Sequence, residues 1–274
     1  MQRYTVGLKD TGLRLDKWLL RRSKLPWALV NKLLRKNKIS VVSKESLVTS
    51  SSYKLQTDDQ IWFPESIKLF SGYMEDSKLV EDFKAWILHE DENFIVINKP
   101  PGIPSQGGTH VKVSIDCLAR LYHQGARLMH RLDKEVSGAM ALGKHSSAAS
   151  ASITNKVYLG IVQGLPFPQS GIVNSCVNKE ATTKYATIKT NEVHENWVSY
   201  MKYELVTGRK HQIRIHTSRD LGCPLIGDFK YGFDFEGDWK YICLHSHSLE
   251  VGSQKFTASL PEHFQNTLLR FKLE

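Results

Sequence analysis

Apolar residues recur at two different periods along the chain, and the change of period marks its organisation. In residues 14–23, Leu15, Trp18 and Leu19 share one stripe of a 3.6-residue period, while Arg14, Lys17, Arg21 and Arg22 lie off it. A break at Lys24-Leu25 precedes Pro26, which suits the first turn of a helix. Residues 27–36 repeat the pattern, with Trp27, Val30, Leu33 and Leu34 inside and Lys32, Arg35 and Lys36 outside. The β-branched run 39–42 reads as a strand, and residues 53–63 as a hairpin around Thr57-Asp58-Asp59. Residues 1–64 thus read as a small α/β module. Residues 65–85 mix charge, Ser and Gly without strong period and read as a linker, partly helical toward Phe83.

From Trp86 the texture changes to short apolar runs, and to alternation at 157–162. Residues 86–89 and 94–97 flank a polar turn and predict a hairpin, which Lys99-Pro100-Pro101-Gly102 terminates. Ser114 is a candidate cap for a helix over 115–123. Residues 127–129 and 139–142 read as strands, and Ser146 or Ser147 as the cap of an Ala-rich helix through Ile153. Val157, Leu159 and Ile161 alternate with Tyr158, Gly160 and Val162, so Tyr158 projects from the opposite face. Residues 211–221 predict a helix stopped by Gly222 and Pro224. The irregular mixture favours an α+β class over a doubly wound sheet for residues 86–274.

Composition sharpens this picture. The chain has 274 residues, 41% of them hydrophobic, which supports a folded core. No apolar run approaches the ~20 residues that span a bilayer, so no membrane role is expected. Residues 1–64 hold 13 Lys/Arg against 5 Asp/Glu, so nearly all of the net +9 lies in the first quarter. A concentrated basic segment points to a polyanion such as structured RNA, with counterion release as the source of affinity. Cys117, Cys176, Cys223 and Cys243 form no Cys-x-x-Cys pair and read as reduced intracellular thiols.

The motifs of nucleotide cofactors, phosphate loops, nucleophile elbows and zincins are missing. Neither His245/His247 nor His211/His216 has acidic or thiol partners at ligand spacing, so no metal and no cofactor is expected. The informative segment is His130-Arg131-Leu132-Asp133-Lys134-Glu135-Val136-Ser137-Gly138, between two predicted strands. A carboxylate flanked by Arg131 and Lys134 is a possible nucleophile, but equally an acid that closes a turn or pairs at the surface. Residues alone leave both readings open, as they do for Tyr158 in the core and Arg214 on a helix.

Residues 1–64 resemble the small RNA-binding domain first seen in ribosomal protein S-four, through Arg14-Leu15-Asp16-Lys17, Leu33-Leu34-Arg35-Lys36 and Ile39-Ser40-Val41. Ser43-Lys44 stands where many relatives have an Asn-Gly turn. Residues 86–265 resemble RluA-type pseudouridine synthases in several blocks of the same chain order. These include the segment around Asp133, Ile95 to Gly102, Lys156-Val157-Tyr158, Thr207-Gly208-Arg209-Lys210-His211-Gln212-Ile213-Arg214, and Pro224-Leu225-Ile226-Gly227-Asp228 with Tyr231-Gly232. Val136 replaces a usual Thr and Gly160 a common Ala.

The resemblance implies a mixed, mainly antiparallel sheet with flanking helices, the pseudouridine synthase fold. It implies isomerisation of uridine in RNA without cofactor or metal. Asp133 would start the reaction, Tyr158 would lie against the uracil and help remove the carbon 5 proton, and Arg214 would pair with Asp133. Arg131 would fill the gap left by a flipped nucleotide. Lys99, Arg209 and His211 would support the cleft or the RNA backbone. Arg14, Lys17, Arg21, Arg22, Lys32, Arg35 and Lys36 would contact phosphates. The implied partner is large-subunit ribosomal RNA or a pre-ribosomal particle. The rival reading is a non-catalytic RNA-binding assembly factor that keeps the fold. A carboxylate-based glycosidase needs two flanking carboxylates, and Asp133 alone has that claim. Gln106-Gly107-Gly108 resembles mitochondrial members, although residues 1–20 do not read as a transit peptide, with the cytoplasm as the alternative.

Overall fold

A computed structural model of the chain describes residues 1–23, 25, 27–43, 46–67, 77–107, 113–232 and 239–274. The expectations for Lys24, Pro26, Lys44 and Gly108, and for the side chains of Arg21 and Trp27, lie outside the described residues. The chain divides into two units, Met1–Val80 with Gln106–Ser114, and Glu81–Ser105 with Ile115–Glu274.

In the first unit a four-stranded antiparallel sheet is built from β1 (Gln2–Thr5), β2 (Ser40–Ser43), β3 (Ser46–Val48) and β4 (Gln60–Phe63), in the order β1-β4-β2-β3. Helices α1 (Leu15–Arg22) and α2 (Trp27–Arg35) supply Leu15, Trp18, Leu19, Val30 and Leu34 to a core shared with Ile39, Val41, Ile61 and Phe63. The hairpin expected over residues 53–63 does not form. The strand β4 pairs with β1 and β2 instead, while Leu15 N donates to Tyr53 O and Leu55 N to Leu13 O.

Arg22 also departs from the sequence reading, which counted it among the phosphate contacts. It stands seven residues after Leu15, so it falls on the buried stripe of α1 and is 7% exposed. Its guanidinium donates to Asp10 Oδ2 at 2.9 Å and to the Tyr4 hydroxyl at 2.8 Å, and lies 5.0 Å from the Tyr4 ring centroid. Arg14, Lys17, Lys32, Arg35 and Lys36 are exposed, with Arg14 paired to Asp16 at 2.8 Å.

The second unit begins within α3 (Ser77–Ala85) and is built on one large sheet. Its strands are β5 (Ile87–Glu90), β6 (Phe94–Lys99), β7 (Arg127–Leu128), β8 (Ser137–Gly143), β9 (Ile153–Gln163), β10 (Ser170–Val177), β11 (Lys179–Val193), β12 (Asn196–Leu205), β13 (Leu244–Val251) and β14 (Gln254–Thr257). The order is β10-β11-β12-β9-β13-β8-β6-β5, with β14 on β13 and β7 on β8. Among the described residues the β13–β8 pairing is parallel and the others are antiparallel. The fold is therefore α+β with a mixed, mainly antiparallel sheet, as expected.

Helices α4 (Ile115–Tyr122), α5 (Ser146–Ala149), α6 (Gln212–Ile215) and α7 (Glu262–Arg270) complete the unit. The helix expected through Ile153 stops at Ala149, and its cap is His145 rather than a serine: the ring accepts a hydrogen bond from Ala148 N. Leu159 and Ile161 pack on Phe264 and Leu268 of α7. The period of two then turns Tyr158 to the other face of the sheet.

Register gives that other face its frame. Tyr203, Tyr158, Ser246, Gly138 and Lys99 are successive partners in one row across β12, β9, β13, β8 and β6. Gly138 is required in this row. Its φ is +111°, and an added Cβ would lie 2.2 Å from Ser246 O.

The Arg22–Asp10 pair generates the first test. Asp10→Ala leaves a buried guanidinium without its carboxylate and should cost about 3–5 kcal/mol of the first unit's stability. Urea unfolding followed by amide hydrogen exchange in α1 and β4 measures this, and a loss below 1 kcal/mol, on the order of a surface pair, would show the pair to be unimportant.

Candidate active site

Asp133 sits in the loop between β7 and β8, and backbone contacts fix that loop on both sides. Val136 N donates to Asp133 O at 3.2 Å. Ser105 Oγ donates to Leu132 O at 2.6 Å and accepts from Leu132 N at 2.9 Å. Gly102 N donates to Lys134 O at 2.8 Å. His130 Nε2 accepts from Ala141 N, a bond only a neutral ring can make, and burial presses its pKa down to about 3.

Lys99 completes the fixation, and of the two roles the resemblance implies, support of the cleft or of the RNA backbone, its placement fits the first. The residue is 0% exposed. Its Nζ donates to Pro100 O at 2.8 Å, Ile103 O at 2.9 Å and Lys134 O at 3.2 Å. Burial presses its pKa down to about 7, against the pull of the Glu135 and Asp133 charges. Three carbonyls match the three protons of an ammonium, so the cage favours the charged form against the cost of burial. Lys99 is a fastener of the Asp133 loop, out of reach of any polyanion.

The partners of the Asp133 carboxylate come from a distant part of the chain. Lys134 turns instead to Glu135 at 3.4 Å. Arg214 Nη1 lies 3.4 Å from Asp133 Oδ2, and His211 Nε2 lies 3.6 Å from Asp133 Oδ1. The Asp133 side chain is 27% exposed, so it faces both its partners and solvent.

Arg214 is on α6, which continues as a π-helical turn over His216–Asp220. The sequence left room for a solvated arginine there, but Arg214 is 8% exposed. Its Nε and Nη2 grip Asp228 at 2.8 and 2.7 Å in a bidentate pair. Asp228 is 3% exposed and also accepts from Lys230 N and Tyr231 N at 3.1 and 3.2 Å. Burial works against the Arg214 charge. The hydrogen bonds and charge of Asp228, followed by those of Asp133, outweigh it and raise the Arg214 pKa.

The start of α6 is pinned by Gln212. Its Nε2 donates to Thr182 O and Thr183 Oγ1, and its Oε1 accepts from Thr207 Oγ1 and Arg209 N. Gln212, Asp228 and Tyr231 stood in the quoted blocks without a role. They act through other side chains, which spacing does not reveal.

Tyr158 is 6% exposed. Burial pushes its pKa up to about 12, a Ser246 hydrogen bond pulls it down, and the Asp133 charge raises it further. Arg131 is exposed on the Asp133 loop, and Arg209 is exposed with its Nε donating to Glu180 O at 3.1 Å. The two departures from the family pattern have physical partners. Val136 is 3% exposed, and a Cβ at Gly160 would meet Leu225 Cδ2 at 2.8 Å and Tyr203 Cε2 at 3.0 Å.

Residues 93–219 match the RNA pseudouridylate synthase family. A ribosomal large subunit pseudouridine synthase C of Rickettsia bellii (strain RML369-C) is 30% identical, over 92% of this chain and 95% of its own. The chain belongs to this family. It is an RNA pseudouridine synthase, an isomerase that acts on RNA. An Arabidopsis thaliana relative, RNA pseudouridine synthase 4, mitochondrial, is 28% identical over 84% of this chain and 61% of its own. The solved structure of human RNA pseudouridylate synthase domain containing 4 matches the enzyme's fold with a TM-score of 0.59 and 24% identity. That match covers 73% of this chain and 98% of the human one.

Lys99→Met keeps the length and loses the ammonium. It should lower the melting temperature by several degrees, about 2–4 °C per kcal/mol in a unit of this size, and leave RNA affinity within about two-fold. A fall in RNA affinity with unchanged melting would restore Lys99 as an RNA contact.

Proposed function

We propose that the enzyme converts selected uridines of large-subunit ribosomal RNA to pseudouridine, with Asp133 starting the reaction. The carrying observation is the Asp133 carboxylate, open to solvent on one side and facing a buried guanidinium that a second carboxylate already holds. The carbon–nitrogen glycosidic bond breaks, the uracil turns while held, and carbon 5 bonds to the ribose. The proton leaves carbon 5, and ring nitrogen 1 gains one. The substrate class is supported by the name of the Rickettsia bellii relative, whose match spans nearly the whole chain.

A duplex-bound or stacked uridine cannot reach a carboxylate in a loop, so the base has to leave its stack, at a cost of a few kcal/mol. Arg131, exposed on the same loop as Asp133, fills the gap. Tyr158 packs against the uracil as an uncharged phenol. Its raised pKa keeps the hydroxyl protonated, so packing is its first task, and it can take up the carbon 5 proton only as its own hydroxyl proton passes to another base. Arg209, exposed on the loop before α6, supports the RNA backbone.

The first unit anchors the RNA as an S-four-like domain, through Arg14, Lys17, Lys32, Arg35 and Lys36, all exposed on or beside α1 and α2. Such contacts position the RNA, and its shape around a loop selects the uridine. The compartment we assign is the mitochondrion, supported by the name of the Arabidopsis relative.

Asp133→Asn should abolish tritium release from RNA labelled at uridine carbon 5 and leave RNA affinity within about three-fold, because an amide keeps the shape and loses the charge. Retained tritium release would remove Asp133 from the chemistry. Pseudouridine mapping of cytoplasmic and mitochondrial RNA, with and without the protein, identifies both the target and the compartment.

Replacing Lys32, Arg35 and Lys36 together by Gln should weaken RNA binding and reduce the slope of log affinity against log salt by about one for each phosphate that α2 no longer neutralises. An unchanged slope would exclude α2 as an anchor.

A further inference from the structure

His211 has a geometry that support of the RNA backbone does not explain. Its side chain is 13% exposed and its Nε2 faces Asp133 Oδ1 at 3.6 Å. On the other side of the ring, Nδ1 is 2.9 Å from the Tyr231 hydroxyl. The backbone at His211 is left-handed, with φ +57°, a conformation uncommon for a residue with a side chain. The two rings meet edge to face, 5.6 Å apart at 75°, and the Arg214 guanidinium lies 5.2 Å from the Tyr231 ring centroid.

We infer that His211 is a second positioning residue for Asp133, its Nε2–H aimed at Oδ1 across 3.6 Å, a contact that tightens when substrate binds, while Arg214 holds Oδ2, and that the Tyr231 hydroxyl sets the tautomer that aims it. The inference rests on Asp133 as the reacting carboxylate.

A carboxyl group turns broadly about its last torsion, and one donor on one oxygen does not fix its plane. Two donors on separate oxygens do. Each donor is braced from behind, Arg214 by Asp228 and His211 by Tyr231. A Tyr231 O–H donating to Nδ1 leaves the proton of a neutral imidazole on Nε2, where it faces Asp133. A neutral donor orients the carboxylate without adding a second cation, which would make it a weaker nucleophile.

The surroundings of the ring favour the neutral form. Burial lowers the His211 pKa, Asp133 raises it, and Arg214, Lys230 and Lys210 lower it, for a net fall below the ordinary 6.5. On acidification His211 gains a proton, Nδ1 becomes a donor, and the Tyr231 hydroxyl has to reverse. The rate of isomerisation therefore falls as pH drops through the His211 pKa.

The test measures single-turnover tritium release and RNA affinity between pH 5 and 8 on the full-length protein. His211→Ala should slow release about 10–100-fold with RNA affinity within about two-fold, the scale of a small misplacement of a reacting group. His211→Gln places an amide N–H near the Nε2 position. It should recover most of the rate and lack the acid limb of the profile. Tyr231→Phe keeps the ring, removes the proton that disfavours imidazolium, and should move the acid limb to higher pH. A merely structural histidine would show neither the Gln recovery nor the displaced limb. A His211→Ala rate equal to wild type, or a Gln variant as slow as Ala with circular dichroism unchanged, overturns the inference while inactive Asp133→Asn leaves the Asp133 reading standing. An active Asp133→Asn overturns both.

Discussion

Two carboxylates share one buried guanidinium, and the rest of the site is arranged around that sharing. Arg214 gives its better geometry to Asp228, at 2.7 and 2.8 Å, and its looser contact, 3.4 Å, to Asp133. Buried charges are tolerated only when paired and hydrogen-bonded. Asp228 meets that condition for Arg214 with no help from Asp133, since it also collects two backbone N–H groups. The guanidinium is thereby fixed before any RNA arrives, and Asp133 keeps an oriented partner without being locked away from solvent. An arginine held by Asp133 alone would have drawn the carboxylate inward.

The sheet supplies the other half of this arrangement. One row of partners carries Tyr158, Ser246, Gly138 and Lys99 across four strands. Ser246 touches Tyr158, and its backbone touches the Cα position of Gly138 so closely that no side chain fits there. Lys99 ties the loop that follows Asp133 to the turn after β6. Packing and hydrogen bonds to the backbone set where the Asp133 carboxylate stands.

The sequence showed those features that depend on neighbours in the chain. The stripes of α1 and α2, the β5–β6 hairpin and the alternation in β9 follow from local period and appear where expected. Arg22 was misread because its charge outweighed its position, although seven residues after Leu15 is the same stripe. The pairing of β4 with β1 joins residues nearly sixty apart, and no local pattern announces it. The long strand β11 carries four Thr and three Lys along a largely half-exposed course, which mutes its alternation. In the site, ordered motif blocks pointed to Asp133, Tyr158 and Arg214 together, while the roles of Asp228, Tyr231 and Gln212 needed coordinates because each touches another side chain.

The central position of β13 has a consequence for how the enzyme comes into being. This strand, Leu244–Val251, lies between β9 and β8, which are made about eighty residues or more earlier. Until it emerges from the ribosome, the two halves of the sheet have no strand to join them, and the backbone edges of β8 and β9 stay open. Synthesis is vectorial and domains fold as units. A nascent chain in which β13 has not yet been made therefore carries Asp133, Tyr158 and Arg214 but has no strand to bring them into register, and the sheet closes only once β13 is available.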